Sequence, residues 1–358
     1  DSGLVAALAA RERPILTFSV ATQDPALDES PLAEQVARRH GTQHLTLPVD
    51  ADLLPRFDAL VAGLCAPLGD PSAANVFAIA EAAKERVGVV LTGDGGDEAF
   101  GGYSSFWAYY HATRLQRLLP QSARPLADEI ATRVRKLPPP WRRAGTLLHY
   151  AAAPIERSIE GTGWVAHDLR SSLFTTEAAA ALDDPFAHHR QSLRAIPGGD
   201  VLVDRAMTNH FRTILPGDYL AKVDGATMAV SLEARCPFLD VDLLELAARM
   251  PASVRFSEGK PKAMLRRMAR RVLPRDILKG RKRGFVAPVG SWLRGSWREL
   301  VHDVVLGDLP KRGWFQKPAL ERIVKRHREG HDHGYLIWTL LVLERWLQLA
   351  QRTSDSPP

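Results

Sequence analysis

The sequence predicts an α/β protein, in which a parallel sheet with helices on both faces is followed by a largely helical second half. Over the first hundred residues, short apolar runs such as 15–20 and 87–92 alternate with segments of helical period. This alternation is typical of parallel sheets, whose strands are joined by crossover helices. From about Ser104 onward the strand pattern ends, and helical Leu/Ala/Arg patterns are separated by proline-rich breaks. We therefore place the α/β core at about 1–125, the helical part at about 126–352 and a frayed tail at 353–358.

The elements of the first part follow one another at short spacing. Residues 2–10 have the pattern of a helix, and 15–20 (ILTFSV) that of a buried strand. Gly41 ends an amphipathic helix over 29–40, after which the chain becomes extended again. The remaining predicted elements, in chain order, are an extended segment at 44–47, a helix at 52–65, a proline-rich loop at 67–72, a helix at 73–86 and a buried strand at 87–92.

The composition is that of a globular protein with a large core. Of the 358 residues, 45% are hydrophobic and 25% are charged, which excludes a disordered or low-complexity chain. Two cysteines, Cys65 and Cys236, cannot form a disulfide framework, so we expect a reducing, cytoplasmic environment. Glu344 and Arg345 interrupt the best candidate for a membrane-spanning helix, and we therefore expect no membrane partner.

Basic residues are concentrated in one segment of the chain. The formal net charge is +6, but residues 249–283 alone contain thirteen Lys or Arg and only two acids, so the rest of the chain is net negative. Such a segment predicts an anionic ligand, and nucleic acid is one candidate. Within it, Lys262 and Arg266 lie one helical turn apart and can face the same anion.

A glycine-rich loop that carries carboxylates follows the predicted strand at 87–92. Residues 92–103 (TGDGGDEAFGGY), here called the glycine–carboxylate loop, include five glycines, which allow sharp turns and close approach to a ligand. In open α/β sheets, ligands bind at the carboxyl ends of the strands. Asp94, Asp97 and Glu98 would repel a bare polyphosphate, so a bridging divalent cation or an amine-bearing substrate is implied. The structural alternative is a tight turn capped by Asp97 or Glu98 at the start of a helix.

The segment LTGDGGDEAFGGY resembles the signature loop of the glutamine-hydrolysing asparagine synthetases and of related ATP-pyrophosphatase amidotransferases. Residues 1–3 (DSG) contain the last two residues of that family's pyrophosphate loop, Ser-Gly-Gly-x-Asp-Ser. Residues 215–240 are similar to its long helical signature, and 262–266 and 281–285 to its two lysine motifs. The resemblance implies a synthetase domain over 1–352 with the ATP-pyrophosphatase (HUP-like, adenine nucleotide α hydrolase-like) fold. It also implies that the first strand and the start of the pyrophosphate loop precede residue 1, and that the N-terminal glutaminase domain is absent from this chain.

The reaction that the resemblance implies has two steps. A carboxylate, most simply the aspartate side chain, attacks the α-phosphorus of ATP and releases pyrophosphate. Ammonia derived from glutamine then attacks the acyl-adenylate, which gives asparagine and AMP. Adenylation supplies the leaving group that a carboxylate lacks.

The resemblance also implies roles for individual residues. The expected Mg²⁺ ligands are Asp1 and Asp97, because hard oxygen ligands suit that ion. The residues that match ATP- and pyrophosphate-binding positions are Asp1, Ser2, Val20, Thr92, Gly93 and Lys282. The expected catalytic residues are Asp94, Lys262 and Lys282, and the expected substrate-binding residues are Asp97 and Glu98.

The sequence departs from the family pattern at two positions. Asp94 occupies a place where asparagine-forming enzymes commonly carry glutamate, and Gly225 a place where they usually carry arginine. The first departure leaves open a relative that amidates a different carboxylate or closes a lactam or isopeptide bond. Glu233 and Arg235 are interpreted as an ion pair that ties the helical half to the sheet.

The expected partners are small molecules, the glutaminase domain of the full-length protein and, as one form of assembly, a second copy in a homodimer. A tRNA-binding ATP-pyrophosphatase is the alternative that the basic segment permits. We disfavour nucleic acid, because the lysines match catalytic motifs and no aromatic stacking platform lies among the basic residues.

Overall fold

The structure is a computed structural model that describes residues 1–22, 28–48, 51–160, 167–196, 201–257, 261–279 and 287–354. Its first sheet consists of strands β1 (Leu16–Ala21) and β2 (Gln43–Pro48), which pair in parallel from Leu16↔Gln43 to Ala21↔Pro48. The strands predicted at 15–20 and 44–47 are confirmed to within two residues. Parallel pairing requires the crossover that the intervening helix supplies.

The helices of the first part also follow the prediction closely. They are α1 (Ser2–Glu12), α2 (Ser30–His40), α3 (Phe57–Gly63), α4 (Ser72–Lys84), α5 (Gly96–Phe100) and α6 (Ser104–Leu118). Gly41 ends α2 in the left-handed conformation, with φ of 67°. The helix predicted at 52–65 is divided into a 3₁₀ segment (Ala51–Arg56) and α3, because Pro55 lacks the N–H that a continuous α-helix needs.

Helices cover both faces of the first sheet. On one face, Phe18 packs against Ala80 and Ala83 of α4. On the other face, side chains of α2 line a groove together with His44 and Thr46 of β2. The predicted arrangement of helices on both faces therefore holds for this pair of strands.

A second parallel pair joins the two halves of the chain. Strand β3 (Val89–Leu91) pairs with β4 (Glu233–Arg235), in register from Val89↔Glu233 to Leu91↔Arg235. The prediction that strands end near Ser104 is wrong at β4, because a three-residue strand with two exposed side chains shows no periodicity. The other edge of β3 is unpaired within the described residues, where Val89 and Leu91 are 43% and 49% exposed.

The tie between the halves is made mainly by backbone groups. The Arg235 Nε–Glu233 Oε1 pair, 2.7 Å long, lies within β4 and is exposed. It therefore contributes little to the junction. Instead, the Glu233 N–H donates to Gly88 O at 3.1 Å, and the Thr92 N–H donates to Arg235 O at 2.9 Å. The segment around Glu233 and Arg235 does join the helical half to the sheet, as interpreted. The join is made by backbone hydrogen bonds and not by the ion pair.

The rest of the described chain is helical. Its α-helices are α7 (Arg124–Val134), α8 (Trp141–Ala152), α9 (Ile155–Glu160), α10 (His167–Leu173), α11 (Thr176–Ala181), α12 (Ala187–Ala195), α13 (Leu202–Arg212), α14 (Ala221–Met228), α15 (Val241–Arg249), α16 (Ala252–Arg255), α17 (Ala263–Ala269), α18 (Arg275–Lys279), α19 (Val289–Arg294), α20 (Arg298–Leu300), α21 (Lys317–Arg328) and α22 (Gly334–Ser354). Segments of π-helix occupy Leu215–Leu220 and Val301–Asp308, and 3₁₀ turns occupy Gln121–Ala123, Pro237–Leu239 and Leu309–Arg312. Among the described helices, none combines the length and the apolar character needed to cross a bilayer.

The largest hydrophobic cluster brings the C-terminal helices onto the α/β part. The rings of Trp297 and Trp338 lie 5.0 and 5.5 Å from the ring of Phe57 in α3, in edge-to-face arrangements. We call this cluster the C-terminal core. It packs α3 and Leu68 of the proline-rich loop at 67–72 together with α22.

Candidate active site at the glycine–carboxylate loop

Two glycines in the left-handed conformation shape the glycine–carboxylate loop. Gly95 (φ 87°) precedes α5 and Gly101 (φ 71°) follows it. A Cβ on Gly101 would lie 2.5 Å from Phe256 Cζ, so a larger residue fits neither the conformation nor the space. No side chain caps α5, so the structural alternative, a turn capped by Asp97 or Glu98, is not what forms here.

The loop backbone lies directly against the N-terminus of α1. A Cβ on Gly93 would stand 2.5 Å from Ser2 N, and one on Gly96 would stand 2.9 Å from Asp1 Cγ. Glycine at both positions is therefore what permits the approach. The Asp1 carboxylate and the amino-terminal amides of α1 are held beside the loop, where the predicted Ser2 contact to phosphate would be made.

Lys262 joins the two carboxylates that the sequence predicts as metal ligands. Its Nζ pairs with Asp1 Oδ2 and lies 2.7 Å from Asp97 Oδ1. Lys262 has the left-handed backbone conformation (φ 54°) at the start of α17. Gly102 leaves room for the contact, because a Cβ there would overlap Asp97 Oδ1 and Lys262 Cε. Three segments that are distant in the chain thus meet at one place.

The environment of Lys262 combines burial with negative charge. Burial lowers the pKa of its ammonium from the ordinary value, while the carboxylates of Asp97 and Glu98 act to raise it. Because two carboxylates flank this one ammonium, the site is built to hold positive charge.

The donor set of Asp1 and Asp97 fits a magnesium ion. Both are hard oxygen donors, and they already converge on one cationic group. Within the described ranges, no group of three or more His, Cys, Asp or Glu side chains forms a metal-binding cluster. A pair of carboxylates is nevertheless what Mg²⁺ uses when substrate phosphates complete its coordination.

Glu98 is buried behind the loop. It is 4% exposed, and the Tyr103 hydroxyl donates to its Oε1 at 2.7 Å. His210 Nδ1 lies 4.0 Å from the same oxygen. Burial and the neighbouring Glu98 raise the pKa of Tyr103 above its ordinary value, so Tyr103 remains a hydrogen-bond donor. This geometry makes Glu98 an inner support of the loop, and its predicted contact with substrate stays a prediction.

The predicted nucleotide-binding residues lie at the ends of β1 and β3. Val20 is buried near the end of β1, and Thr92 and Gly93 follow β3. Thr92 Oγ1 lies 3.3 Å from Cys236 Sγ, and burial raises the pKa of that thiol while the Thr92 hydroxyl opposes the rise. Asp94 comes next in the loop and is half-buried. Lys282, together with the rest of 281–285, lies outside the described residues.

Some residues of the basic segment at 249–283 make contacts away from the loop. Arg266 donates to the carbonyls of Pro261 (3.2 Å) and Leu278 (2.7 Å), and the expectation that it faces the same anion as Lys262 stays a prediction. A helix end supplies carbonyl acceptors that sequence spacing does not reveal. Arg255 is buried and pairs with Asp204. The exposed members are Arg267, Arg270, Arg271 and Arg275, among others.

The structure explains the glycine at position 225. A Cβ on Gly225 would lie 3.0 Å from Gly63 O and 3.2 Å from Leu64 Cα, where α14 crosses the end of α3. An arginine at this position would force the two helices apart. The departure from the family pattern is therefore a matter of close helix packing.

A second polar cluster beside the loop was not anticipated. Lys222 Nζ donates to Asp70 Oδ2 at 2.7 Å and lies 5.0 Å from the centre of the Tyr219 ring. Asp70, in the proline-rich loop, also accepts from the Ser72 N–H at 2.8 Å. The partners are 152 residues apart. Only the similarity of both segments to family motifs could have drawn attention to them.

Comparison with known proteins agrees with these motifs. The family model described as asparagine synthase matches residues 1–348. A Mycobacterium tuberculosis protein, provisionally named an asparagine synthetase (glutamine-hydrolysing), is 31% identical over 352 residues, which cover 97% of this chain and 52% of that protein. Asparagine synthetase 1 (glutamine-hydrolysing) of Bacillus subtilis is 25% identical over 97% of this chain and 54% of its own length.

A third relative carries a different kind of name. Amidase chyE of Penicillium rubens is 23% identical over 94% of this chain and 52% of its own length. The chain thus spans about half the length of these curated relatives. With the family model covering nearly all of it and the loop, lysine and carboxylates meeting in one place, the chain belongs to the asparagine synthase family.

Proposed function

We propose that this chain is the synthetase part of an ATP-dependent, glutamine-hydrolysing amidotransferase. It adenylates a carboxylate, most simply the side chain of aspartate, with release of pyrophosphate. It then forms an amide with ammonia, which gives asparagine and AMP. The supporting observation is the meeting of Asp1, Asp97 and Lys262 at the mouth of the glycine–carboxylate loop.

The residues at that mouth suit the adenylation step. Asp1 and Asp97 would hold Mg²⁺, and the bound ion supplies stabilisation of the charge on the departing pyrophosphate. The amino-terminal amides of α1 and the Ser2 hydroxyl would bind phosphate oxygens. Lys262 contributes an ammonium that would stabilise charge on the phosphates, with Lys282 proposed as a second one.

The second step needs a base for the ammonium that forms when ammonia attacks. We assign this role to Asp94, which occupies the family's glutamate position in the loop. The ammonia source is proposed to be a glutaminase domain in the full-length protein, because the matched relatives are about twice as long and carry glutamine hydrolysis in their names. A cytoplasmic location and a homodimer remain predictions from sequence.

A second acceptor class is supported by the shorter side chain of Asp94. An aspartate ends one methylene short of the glutamate, which leaves space beside the reacting carbonyl for a larger acceptor. A relative named an amidase also matches nearly the whole chain. The alternative is therefore an amidotransferase or a lactam- or isopeptide-forming synthetase with another carboxylate substrate.

The test is pyrophosphate release from ATP by the full-length protein with aspartate and ammonium. We expect aspartate-dependent release, strongly reduced in Lys282→Ala and retained in Asp94→Glu. Release that depends on another carboxylate would reject asparagine synthesis and keep the reaction class. Absence of release with every carboxylate would reject the proposal.

A further inference from the structure

The connection between helices α7 and α8 protrudes from the helical half of the chain. It consists of residues 136–144 (KLPPPWRRA), here called the hairpin tip, and all nine of these residues are exposed. Among them, Leu137 is 47% exposed and Trp141 is 62% exposed. Single exposed apolar side chains are common, whereas clustered ones mark contact sites.

The exposed apolar surface continues from the tip along α7. Leu126 and Ile130 lie one turn apart in this helix and are 63% and 45% exposed. Leu137 follows Ile130 by seven residues, close to two helical turns, and its N–H still donates to Val134 O at 3.1 Å. The three side chains therefore recur at the spacing of one helix face, and they lead to Trp141.

Positive charge accompanies these apolar side chains. The hairpin tip contains Lys136, Arg142 and Arg143 and no acid. None of these three side chains forms an ion pair within the part of the chain that the structure describes. Over residues 104–152, which include the whole hairpin, eight Lys or Arg stand against two acids. The tip thus presents uncompensated positive charge beside apolar groups, which is complementary to an anionic surface with an apolar interior.

The backbone of the hairpin tip depends little on water for its hydrogen bonds. Three of its nine residues are prolines (138–140), which have no N–H. Five more N–H groups donate within the hairpin at 3.0 to 3.3 Å: Lys136 to Arg133 O, Leu137 to Val134 O, Arg142 to Pro138 O, and Arg143 and Ala144 to Pro140 O. A segment can enter a water-poor environment when its backbone groups are satisfied internally. The tip meets this condition at eight of nine positions, although it is fully exposed.

Tight packing of α7 on α8 holds the tip in place. A Cβ on Gly145 would lie 2.8 Å from Arg135 N and 3.1 Å from Ala131 O, so only glycine permits this approach. Farther from the tip, His149 Nδ1 lies 2.6 Å from Asp128 Oδ1, and both side chains are buried. The two helices therefore present Leu137 and Trp141 as one fixed surface.

We propose that the hairpin tip is a docking surface for an anionic phospholipid bilayer. Leu137 and Trp141 enter the headgroup region, and Lys136, Arg142 and Arg143 face the lipid phosphates. Interfacial contact of this kind needs no membrane-spanning helix, and the expectation of no membrane partner concerned spanning helices only. The proposal does not depend on the chemistry of the active site.

A bilayer fits these observations better than a protein partner does. A second copy of the chain would bring the basic residues of two tips together, where they would repel one another. Another protein would need an acidic groove that matches a protruding tip, whereas the headgroup region of a bilayer adapts to its shape. The internally satisfied backbone of 136–144 also suits lipid, which offers the N–H groups no other partner.

The experiment is co-sedimentation of the full-length protein with lipid vesicles. One set of vesicles is phosphatidylcholine alone, and the other contains phosphatidylglycerol at about 30%. We expect binding to the anionic vesicles to be tighter by at least about tenfold at low salt, because three basic residues face the surface. The difference should shrink as the salt concentration rises.

Two variants test the residues of the tip. Trp141→Ala should weaken binding to the anionic vesicles by about tenfold or more, because its ring no longer leaves water. The double variant Arg142→Gln, Arg143→Gln should bind both kinds of vesicle alike. The matched control is Trp314→Ala, at a tryptophan that is 40% exposed elsewhere in the chain, and it should bind as the wild-type protein does. All of these variants should keep the wild-type melting temperature and pyrophosphate release.

The outcomes are distinct from those that test the proposed function. Equal and weak sedimentation with both kinds of vesicle would overturn the inference, and so would unchanged binding to anionic vesicles by Trp141→Ala. Crosslinking of the tip to an acidic protein, without vesicle binding, would reject a lipid partner. None of these results bears on pyrophosphate release, which tests the proposed function separately.

Discussion

The glycine–carboxylate loop and the C-terminal core both contain charged side chains removed from water. They differ in the number of carboxylates that face each basic group. In the core, Glu344 is 2% exposed and accepts from Arg312 Nε and Nη2 at 2.9 and 3.0 Å. One carboxylate thus meets one guanidinium in a bidentate pair. At the loop, two carboxylates, those of Asp1 and Asp97, both pair with the single ammonium of Lys262.

The difference indicates which region serves stability and which serves binding. A matched buried pair leaves nothing for a ligand to satisfy, and its removal exposes an uncompensated charge. In a site with more carboxylates than ammonium groups, the carboxylates repel one another. Binding of a further cation would reduce this repulsion. Charge mutations at the loop should therefore change activity, whereas those in the core should change unfolding.

The largest effect is expected for Asp97→Asn. Loss of one of the two proposed magnesium ligands should lower pyrophosphate release by at least about 100-fold, because a bound metal ion supplies several kcal/mol of transition-state stabilisation. Steady-state assays of the full-length protein, at saturating Mg²⁺, measure this. Asp276→Asn, at an exposed acid of α18, is the matched control. Activity within a few-fold of wild type would remove Asp97 from the metal site.

Glu344→Gln should act in the opposite way. It leaves Arg312 without its buried partner and should lower the free energy of unfolding by about 3 kcal/mol. The urea midpoint should fall while the activity of the folded fraction stays unchanged. Glu245→Gln, which affects an exposed pair with Arg249, should leave the midpoint in place. A large loss of activity without loss of stability would contradict the division between the two regions.

Gly102→Ala tests the packing that brings the loop and Lys262 together. The added methyl group overlaps Asp97 Oδ1 and Lys262 Cε, so we expect a loss of about 1–3 kcal/mol in stability and a reduction in pyrophosphate release. Gly88→Ala is the control, since a Cβ on Gly88 meets nothing within 4 Å. Equal effects of the two substitutions on stability and pyrophosphate release would show that the close packing at Gly102 is not required for either.

The smallest expected effect is on the pH dependence of stability, and it comes from a histidine near the C-terminal core. His327 is buried, its Nε2–H donates to Gly290 O at 3.0 Å, and its Nδ1 accepts from the His333 N–H at 3.2 Å. Burial lowers the pKa of His327, as does Arg294, while Asp332 opposes them. A histidine whose pKa is lower in the folded state stabilises the protein above its unfolded pKa, and this stability is lost as the pH falls below about 6.5.

His327→Gln keeps one donor and one acceptor but cannot titrate. Stability of the wild-type protein should therefore decline more steeply between pH 7 and pH 5 than that of the variant, as measured by urea unfolding. His331→Gln, at an exposed position, should keep the wild-type slope. Parallel slopes for the wild-type protein and His327→Gln would show that this histidine is not the titrating group.

Local features of the fold and site could be predicted from sequence because their signals are local. Gly41 acts on its own segment, and the clustering of glycines and acids in 92–103 indicates a ligand loop without reference to any partner. The family motifs indicate roles for Lys262, Asp1 and Asp97, but the contact of Lys262 with the two carboxylates requires coordinates. Nothing in the spacing of these residues would have brought positions 1, 97 and 262 together.

The remaining features depend on partners that are distant in the chain. Strand β4 is too short for a periodic pattern, and it exists because β3 offers an edge. The turning of Arg266 toward carbonyl groups, the helix crossing at Gly225 and the pairing of Lys222 with Asp70 all require coordinates. These three contacts depend on the tertiary structure and cannot be predicted from residue type alone.

The central claim is that a carboxylate is adenylated at the mouth of the glycine–carboxylate loop. It is tested most directly by supplying the full-length protein with ATP, ammonium and an acceptor such as aspartate, labelled with ¹⁸O in its side-chain carboxylate. Attack of that carboxylate on the α-phosphorus, followed by ammonia at the acyl carbon, leaves one labelled oxygen on AMP. Transfer of one ¹⁸O to AMP for each amide formed is the predicted result. Label found in inorganic phosphate, or amide formation with unlabelled AMP, would contradict the account.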